Sequence, residues 1–580
     1  MNQKENKNND NKENKENNTI SKTKVIVIGG IVIGIASLIL WKKFGKKSKN
    51  PILLQFKNNL ESNQKEEEIQ NCLKIIDSFK NLENQQQNQE NDQLIQEILD
   101  LLNQKINSIS SELKNLIIKL LNSFIFSEKN HLNIAIFTIN FMTQIPLEKD
   151  ISLFMESSDF LLNLIKNNKT KFSKNLKISN QFLHLCLSIF EWKNTENINS
   201  ILKLFTFLID CDESIIPRLI ELKYSSKFFQ FLNSSNLQIL ENICCLLNDF
   251  VEKNDMWISQ LISSNSIQKL IELIKLEENE NIQCDSCLAI SKIISKHPEQ
   301  SKYLMKNINI IPIIKTHFFN QNSISQKKIF SGSSLLFSIS TSSLENQQLA
   351  NDFQLINMLI EFFDIAQKKA FSALIHAIRG LVATSKHNQL FEKLEKEKMI
   401  EKIALKMNQN PQFEKDSDLI TDFIIIIGTC ARISKEFEQQ ILKSNLIHFL
   451  INQAKKENEK LKAHSICAIS GCLKNESMEK TIKNEGCFQI FVESLYSSYS
   501  FLVMSGLIAI RSIAENGSDP PTKSWSKNIE DLISLNLISA LFEISVLDES
   551  LKEFITWTII QLSKHPSFDR ELKQFTQSNF

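Results

Sequence analysis

The apolar positions of this chain recur on two scales, a short one that predicts helices and a long one that predicts a repeat. On the short scale they return every three or four residues, as in Leu94, Ile95, Ile98, Leu99, Leu101 and Leu102, which marks one face of an α-helix. On the long scale, six segments share one design. They are SNSIQKLIELI at 264–274, NINIIPIIKTH at 307–317, DFQLINMLIEFF at 352–363, KSNLIHFLINQA at 443–454, NEGCFQIFVESL at 484–495 and SLNLISALFEIS at 534–545. A turn residue (Asn265, Asn309, Asn445, Gly486, Asn536) opens the helix, and apolar residues follow two, five and six positions later. The first apolar site gives the series Ile267, Ile311, Ile356, Ile400, Ile447, Phe488 and Ile538, with steps of 44, 45, 44, 47, 41 and 50 residues. A second, more apolar helix follows each one: CDSCLAISKIIS, SGSSLLFSIS, ALIHAIRGLVA, FIIIIGTCARIS, HSICAISGCLK, SGLIAIRSIAE and FITWTIIQLSK.

One such unit cannot bury both faces of its second helix, but stacked neighbours can, which is the physical basis of an α-solenoid. These residues resemble the armadillo family, whose repeat pairs a turn and amphipathic helix with a buried final helix. The resemblance is clear over 258–566 and more divergent over 130–257, where SDFLLNLIK and SSKFFQFLN keep the spacing. HEAT repeats share the two-helix logic and are the structural alternative. Two helical segments, 52–82 and 93–126, are split by the polar loop 83–92, so that 52–129 forms either a stalk or the first divergent repeats. The longer steps contain NQNPQFEKDSD at 408–418 and NGSDPPTKSWS at 516–526, which read as polar, Pro-containing loop insertions. Residues 567–580 read as a C-terminal tail.

One run departs from this pattern. Val25 to Trp41 carries no charge and a single polar side chain, Ser37. As a helix it would extend roughly 25 Å, enough for a bilayer core. A secretory signal peptide has an apolar core of similar length but ends in small residues at a cleavage site, whereas this one runs into Trp41-Lys42-Lys43-Phe44. The expectation is therefore an all-α, armadillo-type α-solenoid preceded by a single N-terminal transmembrane helix. Residues 1–24 are too polar to bury a core and read as a disordered tail with six Lys against four acids. The juxtamembrane segment 42–51 is purely basic (Lys42, Lys43, Lys46, Lys47, Lys49), which places the C-terminal body on the cytosolic side. A short span with such a flank resembles the signal anchors of outer-mitochondrial-membrane proteins, with the endoplasmic reticulum as the alternative. Gly30 and Gly34 form a GxxxG through which two anchors could pack as a homodimer.

Composition narrows the function. A net charge of +1 gives no electrostatic case for nucleic acid. With 11 Gly and 9 Pro in 580 residues the chain has too few turns for an all-β fold. The 11 cysteines are irregularly spaced and sit mostly in apolar helical runs. The one CxxC, Cys284 to Cys287, lacks the second pair a zinc site needs and reads as helix packing. No nucleotide-binding, metalloprotease or serine-hydrolase motif is present, and no nucleophile–base pairing is legible, so neither an enzyme nor a cofactor or metal is expected. His297 and His565, in matching SKHP runs, read as helix terminators.

The resemblance implies a partner surface on the concave face, lined by the last helix of successive repeats. The polar site of that helix, Asn in many family members, aligns with Asn248, Lys292, Ser338, Gly380, Arg432, Gly471, Ser512 and Gln561. Trp192, Trp257 and Trp557 do not recur at one site, so the Asn-and-Trp ladder of nuclear-import adaptors is absent. Of 67 basic residues five are Arg, and Arg379, Arg432 and Arg511 fall at or beside the ladder site, with Lys292 extending the row. They suit recognition of an acidic or phosphorylated protein segment. The competing reading is that each Arg bonds carbonyls or acids of the neighbouring repeat and staples the stack. The function expected is a membrane-anchored, non-enzymatic armadillo scaffold similar to animal armadillo proteins of the outer mitochondrial membrane. The alternative is an armadillo-type nucleotide exchange factor of a 70-kDa heat-shock protein.

Overall fold

A computed structural model describes residues 130–579 apart from 169–171, 173–174, 193, 321–324, 344–354, 384–387, 516–522 and 548–550, together with a few positions between 96 and 122. The expected tail, the span 25–41 with Gly30 and Gly34, and the flank Lys42, Lys43, Lys46, Lys47 and Lys49 lie outside the described residues. Among the described residues no helix is long and apolar enough to cross a membrane. The described residues divide into two compact units, one ending at Lys269 and the other beginning at Leu270.

In the first unit, Leu147–Asn167, Thr195–Cys211 and Leu237–Lys253 pack successively side by side. Its core is aromatic. Phe228 and Phe250 lie 5.9 and 4.1 Å from the ring of Trp257, whose indole N–H donates to the Ile216 carbonyl at 3.2 Å. Trp257 is fully buried, so it is a packing residue. Leu99, Ile117, Ile118 and Leu121 are also buried, and Gln96 accepts a hydrogen bond from Asn133 at 2.5 Å. These positions of the 52–129 segment belong to a packed body.

In the second unit the last helices of seven repeats form a row: α1 (Glu280–Lys296), α2 (Gln326–Ser342), α3 (Lys368–Val382), α4 (Ser417–Ala431), α5 (Glu459–Cys472), α6 (Ser500–Glu515) and α7 (Lys552–Leu562). Each packs on the next. The second-helix runs of the sequence fall in these elements, and their apolar residues supply the core. Caps set their starts. Asn279 accepts from the amides of Asn281 and Ile282, and Asn458 from that of Leu461. Such a cap contributes about 1 kcal/mol.

The unit is three helices, where the sequence predicts two. Before most turns stands a short, charged helix, such as Lys435–Lys443 or Glu476–Asn484, each burying an apolar pair one turn apart: Phe437 with Ile441, Met478 with Ile482. The turn residues Asn265, Asn309, Asn445, Asn536 and Gly486 all take positive φ, between 53° and 78°. That left-handed residue stops the short helix and redirects the chain into the next one. Asn and Gly suit it because their steric cost there is lowest. In the repeat of Ile400, Lys398 occupies this position at φ 51°.

Three local expectations change. The 408–418 insertion is not merely a polar loop: Pro411–Lys415 forms a 3-10 turn whose Phe413 stacks on Phe371 at 5.0 Å. Helix Lys523–Ser534 takes up the end of the 516–526 insertion. Residues 567–580, expected as a tail, lie almost wholly in helix Pro566–Asn579, held by the buried Phe568 and by Phe575 against Phe542 at 4.9 Å. Pro298 and Pro566 each stand at the start of a following helix, the position where a missing N–H costs nothing.

Candidate functional site

Successive last helices carry residues at three- and four-residue spacing on one face, most of them exposed or half-exposed, so each contributes a short polar stripe. On α3 the stripe is Ser372, His376 and Arg379. On α4 it includes Asp418, Asp422, Ile425 and Thr429, and on α5 Lys460, His464 and Cys467. Asp416 fixes the start of α4 by capping the Leu419 amide at 3.0 Å, and also accepts from the Ser372 hydroxyl at 2.7 Å.

Where the three stripes meet is a cleft of about 250 Å³, with Phe337 of α2 at one side. Its floor is the buried carboxylate of Asp422, which is paired with His376 Nδ1 and lies 3.6 Å from Arg379 Nε. The guanidinium of Arg379 lies over the Phe337 ring at 5.7 Å. At the rim the exposed Lys460 and Asp418 stand 3.8 Å apart. His464 faces the Phe501 ring at 4.8 Å. Burial, reinforced by the positive charges of Lys460 and Arg379, pushes the His464 imidazole down to about 4, so it is neutral at neutral pH. Asp422 pairs with His376, which burial biases towards its neutral form, and is faced by the positive charge of Arg379, while Lys460 and Arg379 supply the positive field felt by His464.

The structure sorts the three arginines. Arg432, just past α4, has its fork occupied. Nη1 donates to the Gly428 carbonyl at 3.0 Å, and Nη2 to the Cys467 carbonyl at 2.5 Å and the Ser470 hydroxyl at 3.0 Å. It therefore ties α4 to α5. Arg379 and Arg511 are engaged differently. Arg511 donates through Nε to Glu515 at 2.8 Å, and its guanidinium lies 3.5 Å from the ring centre of Trp557 on α7. In both, Nε stands beside a carboxylate, at 3.6 Å for Arg379 and 2.8 Å for Arg511, and the guanidinium lies over an aromatic ring, while the Nη edge makes no hydrogen bond to any described residue. Lys292 is half-exposed on α1.

Of the remaining ladder positions of this unit, Ser512 is half-exposed and donates to the Ile508 carbonyl at 2.9 Å, and the others serve packing. Ser338 is buried and bonded to Ser291 and Ser295, each at 2.9 Å. A Cβ on Gly380 would meet the Ser340 hydroxyl at 2.5 Å, and one on Gly471 the Gly428 carbonyl at 2.9 Å. Gln561 is buried. The cysteines of the CxxC are buried in α1, and Cys287 donates to the Ser331 carbonyl at 3.3 Å. Burial pushes the Cys284 thiol up to about 12. Among the described residues no group of His, Cys, Asp and Glu could hold a metal ion.

His376, His464, Asp422 and Lys460 are not singled out by the sequence reading, which follows one ladder position. The signal was nonetheless present: His376 precedes Arg379 by three residues, Asp418 precedes Asp422 by four, and Lys460 precedes His464 by four. Each pair lies on one face of a helix whose other faces are apolar.

No family model matches the chain, and no curated protein does. Solved structures do. A crystal structure of an engineered protein is similar at TM-score 0.54 and 11% identity, covering 73% of this chain and 99% of that one. A structure from work on a phosphorylation switch that controls the interaction between cadherin and β-catenin is similar at TM-score 0.51 and 10% identity, covering 81% of this chain and 93% of that one. A designed armadillo repeat protein matches at 17% identity over 42% of this chain and 98% of that one, with TM-score 0.36. The likeness to the first two, together with the row of stacked helices, shows the fold alone, an armadillo-like α-solenoid.

Proposed function

We propose that this chain is a non-enzymatic armadillo scaffold whose α1–α7 face receives an extended, acidic or phosphorylated segment of a protein partner. The observation that carries this reading is the difference among the arginines. In a chain whose default cation is lysine, two arginines keep their hydrogen-bonding edge unclaimed on one face of the row, each with its guanidinium over an aromatic ring. A planar fork held in this way is suited to carboxylate or phosphate. The likeness to the structure from the cadherin and β-catenin work supports a protein as partner. The test is partner capture by the full chain at rising salt. Capture should weaken as salt screens the charges and should be lost in an Arg379→Gln/Arg511→Gln double variant. Capture that withstands both would reject the reading.

The scaffold is tethered, in this reading, by residues 25–41 in the outer mitochondrial membrane with residues 42–580 in the cytosol. The support is the uncharged run and the basic flank Lys42, Lys43, Lys46, Lys47 and Lys49. After alkaline carbonate extraction the chain should stay in the membrane pellet, and protease added to intact organelles should degrade the body. A carbonate-soluble chain would remove the anchor, and a protected body would reverse the orientation.

A further inference from the structure

We propose that the partner segment carries two anionic groups about nine residues apart, one taken by Arg379 and the other by Arg511. The inference rests on the peptide-binding reading above and adds its charge pattern and length. Along the row the unclaimed guanidinium edges are on α3 and α6, and the region between them is unsuited to an anion. There, Arg432 is committed to the Cys467 carbonyl and Ser470, and Lys460, a point charge without a planar fork, stands 3.8 Å from Asp418 in the cleft that Asp422 also lines. Among the half-exposed residues of α4, α5 and α6 in this region, Ile425, Thr429, His464, Cys467, Phe501 and Ile508 are neutral. The face therefore runs from cation, through an apolar stretch with acids at its edge, to cation. A complementary ligand runs from acid, through apolar or basic residues, to acid.

The spacing follows from the packing. Three helix-to-helix steps separate α3 from α6. At about 8–10 Å per step the two helices stand about 24–30 Å apart. An extended chain advancing about 3.3 Å per residue covers the upper end of that range in about nine residues. Linking two weak contacts this way raises affinity only when the linker matches the span.

The test uses the full chain and fluorescent peptides bearing two Glu-Glu pairs separated by about three, six, nine or twelve Leu/Ser/Thr residues, and a parallel series with phosphoserine pairs. A single-pair peptide and a single-stranded oligonucleotide serve as references. Affinity should peak near the nine-residue spacer, at least about tenfold above the single-pair peptide. Arg379→Gln and Arg511→Gln should each return the peak peptide to single-pair affinity. Arg379→Lys, which keeps the charge beside Asp422, should do the same and controls for folding. Whichever series binds more tightly identifies carboxylate or phosphate as the source. Binding that depends on the arginines but not on spacing would overturn the two-anchor inference and leave the peptide-binding reading standing. Failure of every peptide to bind would overturn that reading itself. Equal binding of the oligonucleotide would overturn the peptide as occupant.

Discussion

Arg432 gives the sharpest test of how these arginines are sorted, because it should fail as a ligand contact and succeed as a structural one. Its guanidinium makes two bonds across the α4–α5 boundary, to the Cys467 carbonyl at 2.5 Å and the Ser470 hydroxyl at 3.0 Å. Its aliphatic stem lies over Gly471, where an added Cβ would stand 3.1 Å from Arg432 Cγ. A hydrogen bond from a charged donor contributes about 1.5–3 kcal/mol when shielded and less when exposed. Because Arg432 is exposed, Arg432→Gln should cost about 1–2 kcal/mol in total. Arg432→Lys should recover only part of this, since a point charge cannot bridge both acceptors. Urea denaturation of the full chain should show a lower midpoint at unchanged slope for the transition of the second unit. Binding of the two-anion peptide should stay within about twofold of the parent. Unchanged stability together with lost binding would refute the assignment and return Arg432 to the groove.

Three further predictions follow from single residues. Gly486 takes φ 78° and a Cβ there would meet nothing within 4 Å, so Gly486→Ala should cost about 1 kcal/mol through the backbone alone, whereas Lys398→Gly at φ 51° should be neutral or stabilising; equal effects in urea denaturation would contradict the left-handed turn. His464, held near 4 in the folded chain, is protonated more readily when unfolded. Its contribution to stability should be complete above about pH 6.5 and fall away towards pH 4, and an NMR titration with a midpoint near 6.5 would refute the burial argument. Cys284 and Cys287, whose thiols burial holds well above the ordinary range, should resist alkylation at pH 8 in the native chain while the half-exposed Cys467 reacts. Mass spectrometry of the labelled peptides would reveal early modification of the buried pair.

What the sequence determined by itself is the repeat. Apolar residues at helical spacing, returning at steps of 41 to 50 residues, specify helices that must bury two faces and can do so only against neighbours. The turn residues were legible for a related reason: Asn and Gly at a fixed distance before Ile267, Ile311, Ile447, Phe488 and Ile538 mark a position where other side chains are strained. The short helix before each turn was not legible, because two buried residues such as Phe437 and Ile441 in a charged stretch make too weak a periodicity. The site was legible only in part. Sequence could show that Arg379, Arg432 and Arg511 fall at or beside one helix position, but not which carbonyls stand opposite each of them. That depends on how closely two helices approach, and α4 and α5 approach closely because a Cβ on Gly428 would meet Ala468 Cα at 2.6 Å. The close approach brings the Cys467 carbonyl within reach of Arg432, whereas Arg379 and Arg511 lie over aromatic rings, which accept no hydrogen bond at the Nη edge. Residue type was thus set by the sequence. Whether an arginine is a staple or an exposed fork was set by the packing distance between neighbouring helices.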